Sequence, residues 1–297
     1  MKPPSAPRVN PVRAPREALD TDAAITSHER MSASIVDFHT HAFPDALAPR
    51  AIGHLERQSG VRAVLDGTVD ALLASMDRAG VAASVVCSIA TDPGQFGAIL
   101  RWSSAIAGPR LYPFPSIHPA AADPADEVRQ VAAAGFLGIK LHPEYQGFHV
   151  DDPALDALYR ALEKTGLIAL VHAGHDIGFP ESDRAAPRRL LAVHRAFPDL
   201  KIVAAHLGGF RRWEEVAAHL LGSGIWLDTS YTIGHITADL LRRILEGHRS
   251  DRLLFGTDSP WADQAAEVAR IRALGLPGGL ADQILGGAAR ALLGLAT

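Results

Sequence analysis

Eight short apolar runs, each followed by a segment of helical period, repeat along most of the chain, and few folds accommodate that alternation. The runs are IVDFHTH (35–41), ASVVCSIA (83–90), LYPFPSIHP (111–119), FLGIKLHP (136–143), LIALVHAG (167–174), KIVAAHLGG (201–209), IWLDTS (225–230) and LLFGTDSP (253–260). Between them lie segments such as VDALLASMDRAG, PADEVRQVAAAG, PALDALYRALEKTG and ADLLRRILEGH. Their apolar residues recur at three and four positions, and several end in Gly, a helix stop. Strands alternating with helices imply a parallel sheet, which must be covered on both faces, so the runs read as nearly continuous apolar stretches. Eight such units in about 260 residues predict an α/β fold of the (β/α)8 TIM-barrel type, in a single domain. A doubly wound open sheet is the alternative. It usually has fewer strands and a Gly-rich first turn, whereas here that turn is HTHAFPD, without GxGxxG, so dinucleotide binding has no support.

Residues 1–32 carry Pro3, Pro4, Pro7, Pro11 and Pro15 without periodicity and are predicted to be a disordered tail, leaving 33–297 for the barrel. Met31, just before the first run, is a candidate start codon. With 47% hydrophobic and 21% charged residues, the chain can bury a sizeable core. Its 29 basic and 33 acidic residues leave a net charge of −4, which argues against a nucleic-acid partner. No run approaches the roughly 18 apolar residues of a membrane span, and no secretory signal is evident. One cysteine, Cys87, excludes an intramolecular disulfide and fits a reducing, cytoplasmic location.

Catalysis in a barrel sits at the C-terminal ends of the strands, and the polar residues gather there. Run 1 ends in His39 and His41, run 4 carries Lys140 and His142, run 5 His172, run 6 His206 and run 8 Asp258, with His175 just beyond run 5. Strand alternation predicts Asp37, His39 and His41 on one face, with Phe38 and Thr40 on the other. Each residue has an ordinary reading: a hydrogen-bonded structural histidine, a capping aspartate, a snorkelling lysine. Together they do not, because burying several imidazoles and a carboxylate is costly unless something pairs them, and a divalent cation does. His54, His194, His219 and His248 lie in helical segments and read as solvent-facing or ordinary contacts; His118 reads as structural.

The order DFHTH, KLHP, VHAG, AHLGG and GTDSPW resembles the amidohydrolase superfamily, more narrowly the branch of metal-dependent hydrolases that includes the aminocarboxymuconate-semialdehyde decarboxylase type. The resemblance covers residues 35 to about 295. It implies that His39, His41, His172 and Asp258 bind the metal. His206 would act as acid/base beside it, or as a ligand if two ions bind. Lys140 falls where two-metal members carry a carboxylated lysine, but the KLHP context differs from theirs. Lys140 and His142 are therefore candidates for a second metal or for substrate.

Imidazole and carboxylate ligands with an open position suit one zinc ion, with manganese, iron or cobalt as alternatives. A metal-activated water with Asp258 as base would cleave an amide, lactone or ester of a small molecule. The alternative is decarboxylation of a small aromatic or unsaturated acid on the same scaffold. A Schiff base on Lys140 would need no metal and would leave the paired histidines unexplained. Tyr145, Arg211 and Trp261 follow strands 4, 6 and 8 and are candidate pocket residues, with His149, Trp213 and Tyr231 beside them. Arg211 opens a helical segment, an unfavourable place for a cation, and so a candidate partner for a substrate carboxylate. Such barrels commonly form homodimers, although no segment reads as an interface.

Overall fold

A computed structural model describes residues 35–179 and 182–295; the predicted tail, 1–32, lies outside them. Every predicted run overlaps a strand: β1 (Ile35–Thr40), β2 (Val81–Cys87), β3 (Leu111–Phe114), β4 (Gly138–Leu141), β5 (Ile168–Val171), β6 (Lys201–Ala204), β7 (Trp226–Asp228) and β8 (Leu253–Leu254). β2 starts two residues before its predicted run because Gly80 ends the preceding helix in a left-handed cap. Helices follow the strands, among them Ala48–Ser59 after β1, Pro187–Ala196 after β5 and Gln264–Ala273 after β8. Thr68, Asp123 and Asp263 cap three helices by accepting a backbone N–H three residues on.

The strands pair in parallel as β1-β2-β3 and β4-β5-β6-β7-β8. Two seams close these sheets into a barrel through single bridges, Ser116 to Lys140 and Thr40 to Ser259. Pro113 and Pro115 lack the N–H that a full β3–β4 ladder needs. What remains is the Lys140 N–H to the Pro115 carbonyl at 3.0 Å and the Ser116 hydroxyl to the Lys140 carbonyl at 2.9 Å. At the other seam His41 N–H donates to Ser259, and Asp258 N–H donates to the His39 carbonyl at 2.8 Å. Both irregular seams thus carry predicted site residues.

Strand alternation sorts side chains into two clusters. Val36, Phe38, Val85, Phe114, Leu170, Val203 and Leu254 meet one another inside the barrel, closed off by Ala288, Ala289 and Leu293 of the last helix. Their neighbours Ala169, Val171, Ile202 and Ala204 face outward and pack with helix residues such as Leu158, Leu162 and Leu190. Gly138 makes room inside, since a Cβ there would lie 2.4 Å from the Phe114 ring. In β1 the register shifts between Asp37 and Thr40. Asp37 therefore does not join His39 and His41 as predicted; its carboxylate accepts from Thr257 and from Gln264 on the helix after β8. Among the described residues no helix is long and apolar enough to cross a membrane.

Candidate metal centre

Hydrogen bonds fix the protonation pattern of the strand-end histidines. His39 directs Nδ1 at Asp228 Oδ2, 3.1 Å away. A carboxylate only accepts, so Nδ1 carries the proton and Nε2 presents a lone pair. His41 Nδ1 likewise donates to the Cys87 carbonyl at 3.0 Å. The two Nε2 atoms converge on Asp258 Oδ1, at 3.4 Å from His39 and 3.2 Å from His41. Lone pairs facing a carboxylate repel unless a proton or a cation lies between them. The ligand atoms of His39, His41 and Asp258 all lie within 4.8 Å of one another. Two imidazoles held by outer hydrogen bonds and one carboxylate form a donor set that fits a divalent cation.

A second group stands beside the first. His206 Nδ1 meets the Ser230 carbonyl at 3.0 Å and must donate to it. Its Nε2 then accepts from His172 Nδ1, 3.0 Å away. That leaves the lone pair of His172 Nε2 buried, without a hydrogen-bond partner, and 4.0 Å from Asp176 Oδ2. His142 stacks on His172 with ring centres 4.1 Å apart and approaches the same oxygen at 3.4 Å. The structure therefore gathers His172 with His142 and Asp176, not with His39, His41 and Asp258. The predicted four-ligand set is thus divided between two groups in this structure.

Lys140, 1% exposed, lies between the groups, its Nζ 2.9 Å from His39 Nε2. Burial lowers its pKa, while Cys87, Asp228 and Asp258 pull it back up. Burial also drives His39, His142 and His172 well below the usual histidine range, so they stay neutral and able to bind a cation. For Asp258 burial acts upward. The neighbouring His41, His39 and His206 side chains outweigh it and hold the carboxyl well below its usual range. His206 and Asp258 both adopt left-handed backbone, at φ of 57° and 65°. Non-glycine residues there cost about 1–3 kcal/mol each and cluster at functional sites.

These residues line a cavity of about 1000 Å³. Tyr145, Tyr231 and Trp261 line it, together with Trp102 and Phe210. Arg211 does not. Its backbone, at φ 56°, takes the side chain over the Phe210 ring, 5.3 Å from the centroid. Trp213 is buried and donates to the His206 carbonyl. His149 stands 3.6 Å from Asp183, outside the cavity lining. His118 accepts the Ala120 N–H, a structural contact. Sequence reasoning passed over Asp228, Ser230 and Asp176. Asp228 was within reach, being a polar residue at the end of a barrel strand; Asp176 is a loop residue whose pairing only the fold creates.

The amidohydrolase family profile matches residues 36–295. No curated protein matches the chain. Among solved structures, an uncharacterised TIM-barrel protein from Bordetella bronchiseptica is 20% identical, with 88% of this chain and 99% of that one covered and a TM-score of 0.71. The 5-carboxyvanillate decarboxylase of Sphingomonas paucimobilis is 16% identical over 89% and 100% of the two chains, TM-score 0.68. The corresponding enzyme of Novosphingobium aromaticivorans, with bound manganese, is 15% identical over 89% and 98%, TM-score 0.66. These likenesses establish the TIM-barrel fold. The family and the two His/Asp groups support binding of a divalent metal ion. From β1 to the last helix, the chain belongs to the amidohydrolase family.

Proposed function

We propose that the chain is a metal-dependent decarboxylase acting on a small aromatic or unsaturated carboxylic acid. The observation that carries this reading is the convergence of His39, His41 and Asp258 at the floor of a cavity walled by Trp102, Tyr145, Phe210, Tyr231 and Trp261. Such walls suit a flat unsaturated molecule. Two structural relatives are named decarboxylases of an aromatic acid, and one holds manganese, so manganese joins zinc as a leading candidate.

A divalent ion would supply Lewis-acid polarisation and an anchor for anionic oxygen. It would be held by His39, His41 and Asp258. Asp228 and the Cys87 carbonyl keep the two β1 imidazoles in the ligating tautomer. Asp258, ionised across the working pH range, can take a proton from a substrate hydroxyl. The His172–His206 pair can hold a proton: His206 Nε2 accepts from His172 Nδ1, and the unpartnered His172 Nε2 is the nitrogen that can deliver it. In decarboxylation that proton bonds to the carbon bearing the carboxylate. The carbon–carbon bond then breaks, its electron pair restores the unsaturated system, and carbon dioxide leaves. The aromatic walls exclude water from the dearomatised ring formed on protonation.

Hydrolysis of an amide, lactone or ester is the second reading, favoured by the His142–His172–Asp176 group, which could take a second ion. Manganese- or zinc-loaded protein offered carboxyl-labelled aromatic acids in heavy water tests the first reading. Labelled carbon dioxide with deuterium at the vacated carbon would support it. Two bound ions, with turnover of lactones or amides and none of acids, would replace it by the second.

A further inference from the structure

One wall of the cavity carries cations that the chemistry above does not use. Helix Ala48–Ser59 buries Ala48 and Ile52 against the core. Its other face turns Leu47, Arg50, Ala51, His54 and Arg57 to the cavity. The spacing of three and four residues makes Arg50, His54 and Arg57 one continuous stripe. All three are exposed. Neither Arg50 nor Arg57 makes a hydrogen bond or ion pair with any described residue. Several other arginines end on carboxylates, among them Arg110 on Asp77, Arg189 on Asp151 and Asp183, and Arg212 on Glu215, whereas among the described residues Arg50 and Arg57 are unpaired on the wall of a cavity.

Two further features single out this stripe. Arg50 sits in the first turn of its helix, where the helix dipole disfavours a cation, and no acidic residue in that turn compensates. Among the described residues the carboxylates lining the cavity are Asp176 and Asp258, both committed to the histidine groups. Among the described residues, then, nothing neutralises this positive wall, in a protein whose net charge is −4. Across the cavity, Gln58 of the same helix is hydrogen bonded to the Tyr145 hydroxyl at 3.2 Å, which fixes the stripe against the opposite wall. A guanidinium without an internal partner, on a cavity wall, is built for an external anion.

We propose that Arg50 and Arg57, assisted by His54, bind a second anionic group of the substrate, a carboxylate or phosphate remote from the group held at the histidines. The substrate class is then a dianion with an apolar, unsaturated body between its charges. This rests on the cavity being the substrate site, as under Proposed function, but not on which reaction occurs there.

Equilibrium binding to the manganese-loaded protein tests the inference, with benzoate, isophthalate and 3-phosphonobenzoate as probes. One of the two dianions is expected to bind at least about tenfold tighter than benzoate. The advantage should shrink to less than about threefold in the Arg50→Gln/Arg57→Gln variant. It should persist in Arg101→Gln, which removes a neighbouring surface charge outside the cavity and so controls for the general field of the protein. No preference for either dianion in the wild type, a preference that survives the double substitution, or one lost equally in Arg101→Gln would each overturn the proposal. Because binding and not turnover is read, failure of the decarboxylase reading alone would leave these outcomes unchanged.

Discussion

His39 Nδ1 and Asp228 Oδ2 stand 3.1 Å apart although 189 residues separate them in the chain. The contact joins β1 to β7 and decides which nitrogen of His39 faces the cavity. Asp228 also accepts from the backbone N–H groups of His206 and Ser230 and from the Ser230 hydroxyl. Asp228→Asn keeps the Oδ1 acceptor but puts an NH2 group opposite the His39 N–H, which pushes His39 into the other tautomer. Metal affinity is expected to fall about 10- to 100-fold, as for other losses of an outer hydrogen bond to a ligating histidine. Competition with a chromophoric chelator measures it; unchanged affinity would mean that His39 does not ligate through Nε2.

His39→Ala should remove the ion altogether, because it takes one of three converging ligand atoms and leaves Lys140 Nζ, 2.9 Å from that nitrogen, in the gap. Elemental analysis of metal per chain reads this directly. One equivalent in the wild type and none in the variant is the expected result. An equal metal content in both would place the ion elsewhere.

Gly174→Ala should damage the site through the backbone. Gly174 has φ of 85°, and a Cβ there would lie 2.2 Å from the Phe210 nitrogen. The Gly174–Phe210 bridge joins the loops after β5 and β6, which carry His172 and His206. Strain and overpacking together should cost about 2–4 kcal/mol, measurable by urea unfolding. Catalytic loss should exceed what the fraction unfolded explains, since the 3.0 Å contact between the two histidines depends on these loops.

Glu127 offers a pH test away from the site. Burial, and then repulsion from Asp123 and Asp126, raises its pKa from 4.5 to about 7. The folded chain holds this proton more tightly than the unfolded chain. The associated stability is therefore complete below pH 4.5 and is lost as pH rises through about 7. Glu127→Gln should remove the dependence. Thermal unfolding at pH 5 and pH 8 should show a smaller decline for the variant, with activity unaffected. An identical decline in both proteins would exclude Glu127 as its source.

The eight strands were legible because alternation between apolar runs and helical period is a local property, and parallel strands covered on both faces leave it undiluted. β1, β4, β5 and β6 fall inside runs visible in the primary structure for that reason. The candidates His39, His41, His142, His172, His206 and Asp258 were legible too, since a barrel puts the ends of its strands at one rim. How they group was not. Placing His172 with His142 and Asp176 depends on a loop and on ring orientation, neither of which spacing encodes. Asp37 left the predicted face because a register shift in β1 cancels the two-residue period. Arg211 read as a substrate ligand from its position at a helix start, but a left-handed backbone laid it on Phe210; Arg50, at the start of another helix, reached the cavity instead. Local periodicity specified the elements and the rim. Side-chain direction, bulges and contacts between distant segments arise only when the barrel closes, so the tertiary structure alone decided which residues meet.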